Sequence, residues 1–183
     1  MTTPTIAVLV GSLRKESFNR RLATELKRLA QDKLRFTDVE IGDLPLYDQD
    51  DDDSPAPNVA RLRDQIRAAD GVWFVTPEYN RSIPGVLKNA IDHASRPYGQ
   101  SAWKDKPAGV LGVSIGAIGT AMAQQHLRNV LAYLDVPTLG QPEAFIQAKE
   151  GLFDEAGEIG ADSRKFLQDW MDRYVAWVRE QAA

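Results

Sequence analysis

Two short segments concentrate the side chains that could do chemistry. The first, Gly11-Ser12-Leu13-Arg14-Lys15-Glu16-Ser17-Phe18-Asn19, follows an apolar run and sets two hydroxyls, a guanidinium and an amide around the expected start of a helix. A helix N-terminus already offers free main-chain N–H groups and a favourable dipole, so this set suits a phosphate. The second, Pro77-Glu78-Tyr79-Asn80, follows another apolar run and brings an aromatic ring and several polar atoms. A phosphate cup beside a flat-ring shelf suits a phosphorylated aromatic ligand.

The surrounding pattern says what positions them. Ile6 to Val10 reads as a strand buried on both faces, and Leu22, Leu26 and Leu29 as one face of a helix ending near Gln31. Leu34 to Ile41 is expected as a second strand, followed by a turn-rich stretch from Gly42 to Pro57 and a helix marked by Val59, Leu62 and Ile66. Gly71 to Thr76 and Ala108 to Val113 are further strands. Val86, Leu87, Ala90 and Ile91 mark the third helix, and Met122, Leu127, Val130, Leu131 and Leu134 the fourth. Val136 to Leu139 is expected as a short fifth strand, and Phe166, Leu167, Trp170, Tyr174 and Val178 as a closing helix.

Strands alternating with helices predict an α/β domain over residues 1–183, an open parallel sheet with helices on both faces. Five strands fit the flavodoxin-like order 2-1-3-4-5, in which ligands sit at the switch point between strands 1 and 3. Both segments lie at those two strand ends. Flavin mononucleotide (FMN) is the ligand this agreement favours, with Arg14 offsetting its phosphate charge and Tyr79 bordering its ring.

Other patterns are weaker. The loop after strand 1 lacks the Gly-Lys-Ser/Thr of a P-loop and the later glycines of a dinucleotide fingerprint. Ser17 could serve simply as a helix cap. Gly112-Val113-Ser114-Ile115-Gly116 matches the Gly-x-Ser-x-Gly elbow of serine hydrolases. That fold needs a later histidine as base. His93 precedes the serine, and His126 falls on the helix the elbow would lead into, so a nucleotide-contacting loop explains Ser114 and Gly116 better. Asp48, Asp50, Asp51, Asp52 and Asp53 lack the glycine and distal glutamate of a calcium loop and read as a solvated run. His93 and His126 are expected at the surface or an interface, the four tryptophans in the core or an interface, and no metal site is expected.

Composition bounds the rest. The net charge is −4, from 22 basic and 26 acidic residues, with no basic block to hold nucleic acid. The absence of cysteine removes disulfides, thiolate metal sites and cysteine nucleophiles. The first residues show no signal-peptide pattern and no run suits a membrane span, so a cytoplasmic protein is expected.

On Gly11-Ser12-Leu13-Arg14, Ser17, Asn19, Pro77-Glu78-Tyr79-Asn80, Ile83 to Asp92 and Ser114-x-Gly116-x-x-Gly119, the chain resembles the NADPH-dependent FMN reductase family of quinone, chromate and azo-dye reductases. The resemblance implies tightly bound FMN and NADPH or NADH as donor. It implies that Ser12, Arg14, Ser17, Phe18 and Asn19 hold the phosphate and ribityl chain, while Pro77 to Asn80 and Ser114 to Gly116 surround the ring. Many members of that family carry tryptophan where this chain has His93, and the position of Arg81 is variable and often aromatic. Hydride would pass from NAD(P)H to the flavin, then two electrons to a quinone or similar small acceptor such as free flavin, an azo dye or chromate, in ping-pong order. No protein residue need act as a catalytic nucleophile. The alternatives are a flavodoxin-type electron carrier, disfavoured by Arg14 and the modest charge, and a flavin- or nucleotide-sensing module without turnover. Apolar residues on more than one face of the third helix (Ile83, Val86, Leu87, Ala90, Ile91, Ala94), with the resemblance, predict a homodimer or homotetramer.

Overall fold

The structure, a computed structural model, describes residues 2–181. It contains β1 (Thr5–Val10), α1 (Phe18–Ala30), β2 (Arg35–Asp38), α2 (Pro57–Ala68), β3 (Gly71–Val75), α3 (Gly85–Ala94), β4 (Ala108–Ser114), α4 (Ala121–Tyr133), β5 (Ala144–Gln147) and α5 (Ala161–Gln181). The five strands are all parallel in the order β2-β1-β3-β4-β5, as expected. Every residue of β3, the central strand, is buried, which is why Gly-Val-Trp-Phe-Val shows no polar alternation.

Alternate strand residues feed two apolar layers. Ile6, Val8 and Trp73 pack with α1 and α5, whereas Ala7, Leu9 and Phe74 pack with α2, α3 and α4. The first layer is built on aromatic rings. Trp170 and Tyr174 stack at 5.6 Å between centroids, and Trp73 meets both edge-on. Gly109 makes room for them, since a Cβ there would lie 2.9 Å from both Trp170 and Tyr174.

The register places the site. Val10 pairs with Val75 and Val75 with Leu111, so the chain leaves β1 and β3 at one level while β4 continues to Ser114. At that level Gly112 lies against β3, where a Cβ would stand 2.0 Å from the Thr76 carbonyl oxygen. Only glycine permits that approach of two backbones.

Three expectations need correction. The fifth strand is not Val136–Leu139. There Thr138 makes a lone bridge to Ala108, and the chain then turns away through Gly140-Gln141-Pro142 before β5 pairs with Leu111–Ser114. Pro137 and Pro142 have no N–H to give, so a continuous ladder cannot form. The second strand is also shorter than the expected Leu34 to Ile41, spanning Arg35–Asp38. His93, expected at the surface or an interface, is only 4% exposed. Its Nε2 lies 2.9 Å from the Pro45 carbonyl, and its own carbonyl accepts from Arg63 Nε at 3.0 Å. Asn89 holds the same loop, donating to the Pro45 carbonyl and accepting from Tyr47 N. These contacts join α3 to a loop some forty residues earlier, and helical spacing cannot reveal them. The loop is not wholly solvated either, because Asp52 approaches the buried Arg63 guanidinium at 3.7 Å. Burial pulls the Arg63 pKa down and Asp52 partly restores it.

Trp73, Trp103 and Trp170 are core residues, and Trp177 is partly buried against the layer that holds Trp73 and Trp170. Among the described residues no helix is long and apolar enough to cross a membrane.

Tyr174 gives this core a pH dependence. Its hydroxyl is fully buried and donates to the carbonyls of Val72 (3.1 Å) and Pro107 (3.3 Å), and burial pushes its pKa well above the usual value. A raised folded pKa leaves stability intact below the unfolded value and removes it as pH rises, so the loss begins near pH ~10. Tyr174→Phe should cost about 1 kcal/mol at neutral pH and flatten that alkaline decline. Urea unfolding of both proteins on either side of that pH checks it; parallel losses would exclude Tyr174 as the cause.

Candidate functional site

The loop from β1 into α1 presents an unfilled anion cradle. Ser17 is the helix N-cap, with extended backbone (φ −82°, ψ 120°) and its Oγ accepting from Arg20 N at 3.3 Å. Among the described residues, none of the main-chain N–H groups from Ser12 to Asn19 finds an acceptor. Arg14 is exposed, lies 5.8 Å over the Phe18 ring and has no carboxylate partner. The hydroxyl-bearing Ser12 and Ser17 are buried beneath it. Asn19 is differently employed. Its carboxamide, 3% exposed, donates to the Val113 carbonyl at 2.8 Å and accepts from Val113 N at 3.0 Å. It links the loop to the end of β4.

The loop after β3 is anchored in a similar way. Pro77 is buried, and Glu78 sends Oε2 to the main-chain N–H groups of Met122 (3.0 Å) and Ala123 (3.1 Å). It thereby caps α4, whose own N-cap residue Thr120 makes no side-chain capping bond, its hydroxyl accepting from Gln124 Nε2 instead. Tyr79 and Ser82 exchange two main-chain bonds around Asn80 and Arg81, which have φ of 51° and 63°. Positive φ at both central positions is a type I′ turn. Tyr79 stands half-exposed at its base.

The loop after β4 closes the third side. Ser114 Oγ donates to the Gly119 carbonyl, and His126 Nδ1 lies 3.0 Å from Ser82 Oγ instead. Ile115, Gly116, Ala117 and Ile118 are exposed.

The three loops enclose a cleft of about 240 Å³ lined by Ser12, Arg14, Ser17, Phe18, Asn19, Pro77, Glu78, Tyr79 and Ser114. Two residues expected at the site, Asn80 and Gly116, do not line it. Val113 and Ile115 do. Ile115 falls within the Ser114 to Gly116 stretch expected to border the ring, whereas Val113 reads as strand core and gives no local signal. A larger groove of about 630 Å³ lies between α3 and α4, beside Ile83, His126 and Val130. The lysine that lines it, Lys88, is paired with Asp92.

The first cleft fits FMN by its own chemistry. Free N–H groups and an unpaired guanidinium suit a phosphate, and the Pro77, Tyr79 and Ile115 walls suit a flat ring. The family model for NADPH-dependent FMN reductase matches residues 4–151. The chain belongs to this family. It is 57% identical over 178 residues to a 2-hydroxy-1,4-benzoquinone reductase of Burkholderia sp, covering 96% of this chain and 97% of that protein. It is 51% identical over 175 residues to a quinone reductase of Pseudomonas putida, with 95% and 94% covered. Among solved structures it superposes on a flavoenzyme NAD(P)H:(acceptor) oxidoreductase from Paracoccus denitrificans with a TM-score of 0.93 at 45% identity, covering 97% and 98% of the two chains. As a member of the NADPH-dependent FMN reductase family, the chain is an oxidoreductase with FMN as cofactor and NAD(P)H as donor.

Among the described residues nothing is placed to activate Ser114 as a nucleophile, since its proton is given to the Gly119 carbonyl and His126 is bonded to Ser82. Incubation with a fluorophosphonate should therefore leave the intact mass unchanged; an adduct mapped to Ser114 would reverse the assignment.

Proposed function

We propose that the chain is an NAD(P)H:quinone oxidoreductase: NAD(P)H, a proton and a quinone give NAD(P)⁺ and a hydroquinone. The observation that carries the reading is one open cleft in which an uncommitted anion cradle adjoins an apolar and aromatic shelf. The printed activities of the Burkholderia and Pseudomonas putida relatives support the acceptor class. Bound FMN supplies the two-electron hydride chemistry, which a side chain cannot.

The protein binds and orients. Arg14, with the hydroxyls of Ser12 and Ser17 and the N–H groups of the α1 entry, holds the phosphate. Phe18 and Asn19 border the ribityl chain, Asn19 by fixing the loop. Pro77 to Tyr79 and Val113 to Ile115 flank the ring. A single open face serves both substrates, so NAD(P)⁺ leaves before the quinone enters, and the order is ping-pong. The same open rim admits free flavin, azo dyes or chromate.

Two measurements test this. Arg14→Ala should weaken FMN binding by about 1.5–3 kcal/mol, and riboflavin should bind the wild type far less tightly than FMN. Equal affinities would show that the loop holds no phosphate. Initial rates with varied NADPH and benzoquinone should give parallel double-reciprocal lines, and intersecting lines would reject alternate occupancy. A holoprotein that oxidises no NAD(P)H would sink the function.

Assembly as a homodimer or homotetramer is part of the same proposal. Leu87, Ala90, Ile91 and Ala94 of α3 are used within the fold, leaving half-buried Ile83 and Val86 beside the α3–α4 groove for a second copy. Light scattering should report a multiple of 20.3 kDa, and a monomer mass would reject it.

A further inference from the structure

A second pocket adjoins the anion cradle. It has about 240 Å³, the same as the flavin cleft, and Ser17 belongs to the walls of both. One side is the exposed face of the first turns of α1, and the other is Gly157, in the loop between β5 and α5. That loop is pinched by the Phe153–Ile159 bridge and tied down onto α1. Ile159 N donates to Glu25 Oε2 at 3.2 Å, and Arg28 meets Glu158 at 2.6 Å.

The pocket is rich in cations. Lys15, Arg20 and Arg21 all line it, and among the described residues none of them meets a carboxylate. Arg20 reaches back to the cradle, its Nη2 donating to the Ser12 carbonyl at 3.3 Å. Arg21 lies 4.2 Å over the Phe153 ring, and a Cβ at Gly157 would stand 3.6 Å from its Nη2, so the loop fixes this guanidinium at the wall. Of the two acids in the lining, Glu25 is spent on Arg28 and the Ile159 N–H, which leaves Glu16 against three positive charges. The acids of the loop, Asp154, Glu155 and Glu158, do not line the pocket.

A terminal monophosphate leaves this surplus unused. Held by Arg14, the Ser12 and Ser17 hydroxyls and the α1 entry, it would stop at the shared wall. A second phosphate, joined to the first through one bridging oxygen, would pass Ser17 and meet Lys15 and Arg21 in charge-assisted hydrogen bonds. The nucleoside attached to it would follow into the space between α1 and the loop.

We propose that this pocket takes the adenylate half of flavin adenine dinucleotide (FAD), so that the chain binds FAD as well as FMN. The inference rests on the assignment of the cradle to the flavin phosphate and extends it by one nucleotide.

The test is calorimetric titration of the flavin-free protein with FMN, FAD and riboflavin. The wild type should bind FAD within about fivefold of FMN, or more tightly, and a wider gap in favour of FMN would overturn the proposal. Arg21→Gln should weaken FAD by about tenfold or more and FMN by no more than about twofold, with Arg21→Lys keeping part of the difference. Lys15→Gln, at an exposed position, should act in the same direction. Equal losses for FMN and FAD, or no loss of FAD affinity in either glutamine variant, would overturn the proposal. A raised KM for NADPH in FMN-loaded Arg21→Gln, with FAD affinity unchanged, would assign the pocket to the donor instead and overturn it as well. Equal affinities of the wild type for FMN and riboflavin would overturn the phosphate assignment itself.

Discussion

The buried carboxamide of Asn19 makes the contact on which the cleft depends. β3 stops pairing at Val75, opposite Leu111, and the Thr76 N–H makes the last bond to Leu111 O. Two residues further, the inward N–H and C=O of Val113 face a place where the sheet has no strand left. Asn19 fills both, at 3.0 and 2.8 Å, from ninety-four residues away. Each orphaned group would otherwise cost about 1–3 kcal/mol. The end of β4 and the entry to α1 are therefore held as one piece, and the floor of the cleft is set before any ligand arrives.

The same division of labour runs through the site. Glu78 is spent on α4, Asn19 on Val113, and Ser114 on the Gly119 carbonyl. Arg14, Tyr79 and the main-chain N–H groups of the first loop are left uncommitted. Residues that fix the frame are satisfied inside the protein, and the groups proposed to meet the ligand are not. A frame held this way binds with little ordering cost, which is the physical content of preorganisation.

Periodicity and turn chemistry made most of this fold legible. The buried run at Gly71–Val75 and the helical stripe of α1 are local patterns, and local patterns survive in the sequence. The two segments that border the cleft were legible for the same reason, since each follows a readable strand. What escaped was non-local or non-periodic. β5 alternates exposed and buried residues over only four positions, and the more apolar Val136–Leu139 run drew the assignment. His93 is buried by a loop from elsewhere in the chain. No spacing distinguishes an asparagine that touches a ligand from one that holds up a strand, so the link from Asn19 to Val113 needed coordinates.

Electrostatics explains how an acidic chain accommodates anionic partners. The net charge of −4 disfavours an anionic cofactor and donor at long range. Half of the basic side chains are neutralised locally, as in Lys27–Asp38, Arg61–Asp43 and Lys33–Asp172. Exposed pairs of this kind add about 0–1 kcal/mol each to stability, but they remove their cations from the field. Arg14, Lys15, Arg20 and Arg21 escape such pairing among the described residues, all within the α1 entry. With a Debye length of about 8 Å at physiological salt, a phosphate in that loop feels these four cations and the helix dipole more than the distant acids. The sign of the local field, rather than that of the whole chain, decides what binds.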